Sequence, residues 1–159
     1  MLRLDDRLVL THPEEPPNYA RTEVDTKGLI DKWLQEWDVP KGYWVYWRNY
    51  NIIVDPKYPV PAACDAASNT MWLNPAWGNT GVLAHEFAHE SYSLLSDYGK
   101  VDFHAIYAPL RDTNPLIKFL YSNNPYGLTS DVEGHAEVYR YLGSRMPEEL
   151  KEYYPKLIY

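Results

Sequence analysis

An α+β fold with its sheet in the N-terminal half is what the sequence predicts, on three observations. Apolar residues recur at helical spacing early in the chain, at Leu29, Ile30, Trp33, Leu34 and Trp37. Short runs rich in aromatic and β-branched residues follow, between residues 43 and 74. From residue 80 onward the apolar pattern is helical only, divided by capping residues and prolines. A helix and strands first, then helices alone, place the sheet before the helical half.

Each element can be argued in turn. Residues 1–25 hold Pro13, Pro16 and Pro17 among charged residues and read as an extended arm, with an edge strand at Arg7 to Leu10. The remaining residues, 26–159, form a single domain. Asp25 or Thr26 caps a first helix running to Trp37, which Pro40 and Gly42 end. Tyr43 to Arg48 and Tyr50 to Val54, on either side of Asn49, are expected to form a hairpin. Asp55 to Ala67, with Pro56, Pro59 and Pro61, is expected to be mostly loop, and Asn69 to Asn74 a short strand stopped by Pro75. A helix then starts at Thr80 as cap and closes at Gly99. Further helices are expected over Asp102 to Ala108, stopped by Pro109, and over Pro115 to Tyr121. Thr129 or Ser130 caps another through Leu142, and Pro147 opens a last one ending near Pro155.

Bulk properties narrow the function. The 159 residues fit one domain, and 15 Tyr with 6 Trp imply an aromatic core or groove. A formal net charge of -7 argues against nucleic acid or an anionic membrane as the main partner. No apolar run approaches a membrane span, and Met1 to Arg7 lacks the apolar stretch of a signal peptide. The expectation is a cytoplasmic or non-classically secreted monomer. A single cysteine, Cys64, excludes an internal disulfide and reads first as a small, half-buried residue.

The chemistry is concentrated in His85-Glu86-Phe87-Ala88-His89, an HExxH motif inside a predicted helix. Residues at i and i+4 share a face one turn apart, so both imidazoles can reach one ion. Glu86 then stands beside the first ligand, where it can take a proton from water activated by the metal. Zinc needs a third protein ligand and an open position. Tyr92 and Leu95 stand where the metzincin pattern HExxHxxGxxH requires Gly and His, so that ligand comes from further away. Asp131, Glu133 and Glu137 on the 129–142 helix are candidates, with His104 and His135. Glu133 and Glu137 share one face. Turned toward the core, such a pair is costly unless a cation or donor meets it; one can ligate while the other accepts an imidazole N–H. His135 projects away from that face. Gly134 and Ala136 are small enough for close helix approach.

HExxH followed far downstream by Glu133-Gly134-His135-Ala136-Glu137 resembles the gluzincin arrangement, and most closely the lethal factor-like metallopeptidases, whose second site helix reads ExxAE. The resemblance covers roughly Asn69 to Leu142. Gly134 and His135 replace the aromatics usual after the first glutamate, and the thermolysin-like NExxSD pattern is absent. What it implies is a zincin-like fold, a small mixed sheet packed on an active-site helix, and a zinc-dependent peptidase acting on a peptide or protein. His85, His89 and Glu133 would bind Zn2+, Glu86 would be the general base, Glu137 would orient a ligand, and Tyr126, at the family's tyrosine position, would stabilise the oxyanion. It also implies that the strand before the motif helix is an edge that pairs with substrate, so that Trp72 or Asn74 borders the cleft. The alternative is a latent or vestigial zinc-binding module that acts by binding, with the arm or the tail Glu152 to Tyr159 lying in the cleft.

Overall fold

The computed structural model describes residues 9–158. It is a mixed α+β structure with a small three-stranded sheet and mainly helical content. None of its helices is long and apolar enough to cross a membrane. The arm from residue 9 to 25 is extended and pinned along the surface. His12 donates its backbone N–H to Tyr141 (3.2 Å) and stacks on Trp37, Asn18 N–H donates to the Ala76 carbonyl (2.8 Å), and Arg21 donates to Gly78 (2.7 Å). The edge strand expected at Arg7 to Leu10 begins outside the described residues, and Val9 and Leu10 are not in a strand.

Helix α1 (Thr26–Glu36) starts where Asp25 accepts from Gly28 N–H and buries Ile30, Trp33 and Leu34. The expected hairpin is absent. Trp44–Arg48 is a short helix, α2, and Asn51–Val54 is a strand, β1, whose partner lies later in the chain. Aromatic content favours strands only where a sheet face waits to be covered. Here the Trp47 indole fits instead between Trp33 and Phe87, with ring centroids at 5.4 and 4.7 Å, and donates to the Lys156 carbonyl (2.8 Å). Helical backbone delivers that ring to the core while leaving Val45 in solvent.

The segment expected to be loop contains a second strand, β2 (Ala62–Asp65). It runs antiparallel to β3 (Thr70–Leu73), and Asn69, at φ 49, turns the chain between them. Strand β3 pairs with β1 on its other side, in parallel, so the order is β1-β3-β2 and β3 is central rather than an edge. The prolines misled because they bound β2 without interrupting it.

The second half is helical. Helix α3 (Thr80–Ser93) is capped by Asn79, whose side chain accepts from Val82 N–H; Thr80 lies inside it. Nearly every position of α3 is buried, from Val82 to Ala88 and again at Glu90 and Ser91, as in a helix surrounded by structure. It ends before Gly99: Ser96 caps a new helix, α4 (Asp97–Thr113), and Gly99 is in its first turn. Pro109 sits within α4 rather than stopping it. Helix α5 (Pro115–Asn123) follows, capped by Asn114. Helix α6 (Asp131–Leu142) is capped by Ser130, which accepts from Glu133 N–H (3.2 Å). The end of the chain forms a 3-10 segment, Glu148–Tyr153, in place of the expected helix.

Helices α3 and α6 pack face to face, and the core closes around them. At Gly134 a side chain would collide with the Tyr107 ring and hydroxyl and stand 3.0 Å from the Gly127 carbonyl, so α6 reaches its depth only because this residue is glycine.

Candidate metal centre

Two helices supply the centre. On α3, His85 and His89 lie one turn apart with their rings 4.6 Å apart and nearly perpendicular. On α6, Glu133 and Glu137 lie one turn apart and face them. Glu133 reaches both imidazoles, with Oε2 3.1 Å from His85 Nε2 and Oε1 3.3 Å from His89 Nε2. Glu137 lies behind His85, its Oε2 3.1 Å from Nδ1. One ligand atom each from His85, His89 and Glu133 falls within a 4.8 Å span, and among the described residues no further His, Cys, Asp or Glu joins that group.

The chemistry of this donor set fits a divalent cation. Glu137 is almost wholly buried and accepts a hydrogen bond from His85 Nδ1–H. A neutral His85 therefore turns its Nε2 lone pair toward the Glu133 carboxylate. Two acceptors facing each other at that distance require a positive charge between them. Glu133 Oε2 is buried with no backbone or amide donor beside it, consistent with a ligand position.

The same carboxylates act on the His85 imidazole. Burial lowers the His85 pKa, but Glu133 and Glu137 outweigh it and push it up to about 9. Burial likewise raises the Glu133 carboxyl, and the two imidazoles reverse this, holding it well below the usual carboxylate range. Glu86 is different. It is 8% exposed, and burial, reinforced by Glu133, raises its pKa against the opposing pull of His85, His89 and Arg140. A carboxylate moved toward neutrality in a cleft can both accept and return a proton.

All of these groups line one cleft of about 750 Å3, together with Tyr126, Asn124, Arg140 and residues 60–64. Tyr126 is half-exposed, with its ring centroid 6.1 Å from that of His85. Partial burial and the Glu133 charge raise its phenol pKa. Asn124 holds the loop, accepting from Tyr126 N–H (3.2 Å) and donating to Glu137 Oε1 (3.4 Å) and the Tyr141 hydroxyl (3.1 Å).

The other candidates lie elsewhere. His104 and Asp131 pair with each other at 2.7 Å on the surface. His135 is fully buried, donates Nε2–H to the Tyr153 carbonyl (2.6 Å) and stacks on Tyr154, and burial lowers its pKa to about 3. It is a neutral core residue. Cys64 borders the cleft as a neutral thiol, pushed up to about 12 by burial and joined to the Tyr50 hydroxyl at 2.7 Å. Trp72 and Asn74 do not line the cleft. Strand β3 is central, so the strand bordering the cleft is β2, while Asn74 caps the turn at Pro75–Trp77 and donates to the Tyr58 carbonyl (3.0 Å). The tail as far as Ile158 is not in the cleft either. Tyr154 and Leu157 are buried in the core, and the Pro155 carbonyl accepts from Ser91 (2.7 Å). Of the described arm residues, 9–25, only Glu14 borders the cleft.

Sequence reasoning passed over Asn124, Arg140 and β2. Arg140 had a usable signal: it lies two turns beyond Glu133 on the same face of α6. Asn124 and β2 had none, since their roles depend on chain segments distant in sequence. Compared with known proteins, the chain matches no family model, no curated protein and no solved structure.

Proposed function

We propose that this chain is a zinc-dependent peptidase of zincin-like, gluzincin type, related in its site to the lethal factor-like metallopeptidases. One observation carries the reading: two imidazole nitrogens from α3 and a carboxylate oxygen from α6 converge within 4.8 Å of one another, beside the buried Glu86 in an open cleft. Three protein donors, two imidazoles and one carboxylate, form the donor set of a catalytic rather than a structural zinc site.

His85, His89 and Glu133 would hold the ion. Zinc bound there supplies Lewis acidity, lowering the pKa of water and polarising the scissile carbonyl. The chain's own groups do the rest. Glu86, its pKa raised by burial, takes the proton of the attacking water and returns it to the leaving amine. Tyr126 stands at the cleft wall with its hydroxyl protonated, ready to donate to the carbonyl oxygen as negative charge develops. Glu137 keeps the proton of His85 on Nδ1, so that Nε2 faces the centre as a lone pair. An extended peptide would pair with the free edge of β2, the strand that borders the cleft.

The test is hydrolysis of an unstructured peptide pool by the zinc-loaded chain. Glu86→Gln is expected to retain one zinc per chain and to lose about 10²–10⁴-fold in rate. A Glu86→Gln protein as active as wild type at equal zinc content refutes the proposal.

A further inference from the structure

Among the described residues lining the cleft, Arg140 is the one lysine or arginine. It forms no ion pair or hydrogen bond with any described residue; its contact is with the ring of its neighbour Tyr141, at 5.1 Å. Glu14 of the arm borders the same cleft but does not pair with it. A guanidinium that feels Glu86 across the cleft but makes no direct ion pair or hydrogen bond with a carboxylate keeps its donors free for a ligand.

Its position is set by both site helices. On α6, Glu133, Glu137 and Arg140 occupy successive turns of one face. On α3, the guanidinium lies over Gly81, where a Cβ would stand 3.3 Å from Nε and 3.6 Å from an Nη. Gly81 is one turn before His85 on the same face, about 6 Å along the axis. An extended peptide advances about 3.3 Å per residue. A group held by Arg140 therefore belongs to a residue one or two positions from the bond at the metal centre. The cleft also decides the kind of anion. Glu14, Glu86, Glu133 and Glu137 line it, so a multiply charged phosphate meets repulsion that a single carboxylate largely avoids.

We infer that Arg140 is a specificity-determining residue that selects peptides carrying a carboxylate, from an acidic side chain or a free C-terminus, one or two residues from the scissile bond. This rests on the peptidase reading above.

The experiment uses the full zinc-loaded chain and a mixed peptide library, prepared with free and with amidated C-termini, the cut sites being read by mass spectrometry. Wild type is expected to cut next to Asp or Glu, or close to free C-termini. Amidation abolishes the second class only, which separates the two carboxylate sources. For the best acidic peptide and its Gln or amide twin, the ratio of kcat/KM is expected to be about tenfold or more in wild type, near one in Arg140→Gln, and intermediate in Arg140→Lys. Matching zinc content and circular dichroism establish that the variants fold. A wild-type ratio near one, or a ratio unchanged in Arg140→Gln, overturns the inference while leaving the peptidase reading intact. If zinc-loaded wild type cuts nothing, the peptidase reading falls, and fluorescence anisotropy of the labelled twin peptides decides this site alone. An Arg140-dependent preference for the acidic twin supports it, and equal binding overturns it.

Discussion

Glu137 offers the sharpest test of how the centre is assembled. Its carboxylate is buried, receives His85 Nδ1–H at 3.1 Å and is braced by Asn124 at 3.4 Å. Glu137→Gln preserves shape and one acceptor oxygen but removes the charge. A hydrogen bond to a charged group contributes about 1.5–3 kcal/mol against about 1 kcal/mol for a neutral one. The loss of about 0.5–2 kcal/mol corresponds to zinc affinity about 2- to 30-fold weaker. Glu137→Ala strands the buried Nδ1–H altogether and costs about 10–100-fold. Proton competition acts in the opposite direction. Glu137 is one of the groups that raise the His85 pKa to about 9, so its removal also weakens the proton that zinc must displace. At pH 7 the two effects partly cancel, and near pH 9 only the loss of orientation and charge remains. The affinity deficit of Glu137→Gln should therefore widen from pH 7 to 9, measured by competition against a chromophoric chelator. Affinities within twofold of wild type across that range would refute a role for Glu137 in holding His85.

Three other outcomes follow from the structure. For wild type, zinc binding should release one proton from His85 and tighten about tenfold per pH unit between pH 7 and 8.5, as read by calorimetry in buffers of different ionisation enthalpy. In the metal-free chain the raised His85 pKa gives stability that is complete below about pH 6.5 and is lost as pH climbs through 9, so the melting temperature should fall over that interval and recover with zinc. Removing residues after Met146 should cost about 5 kcal/mol or more, because Leu150, Tyr154 and Leu157 are buried in the core, and should abolish the cooperative thermal transition. A truncated chain that melts like wild type and cuts faster would instead restore the tail as a plug.

Legibility tracked the range of the forces involved. Helix α6 was readable because Ser130 caps it, and the shared face of Glu133 and Glu137 was readable because helical periodicity is local. The boundary of α3 slipped because Asn79 and Thr80 are both good caps and only the observed bond from Val82 N–H distinguishes them. Trp44 to Arg48 misled for the opposite reason. An aromatic run is compatible with strand or helix until something decides where Trp47 must go, and Trp33 and Phe87 decide it from distant positions.

The sequence by itself determined the spacing of His85, Glu86 and His89, which puts two imidazoles on one helix face and a glutamate beside them, because a helical turn is fixed by backbone geometry alone. It also reduced the acidic ligand to three carboxylates on one later helix. Only the tertiary structure decided that Glu133 meets both imidazoles while Glu137 stands behind His85. That choice depends on how deeply α6 seats against α3, which Gly134 permits by leaving room for Tyr107. The strand that borders the cleft and the burial of the tail were settled in the same way, by packing between segments far apart in the chain, which no local pattern encodes.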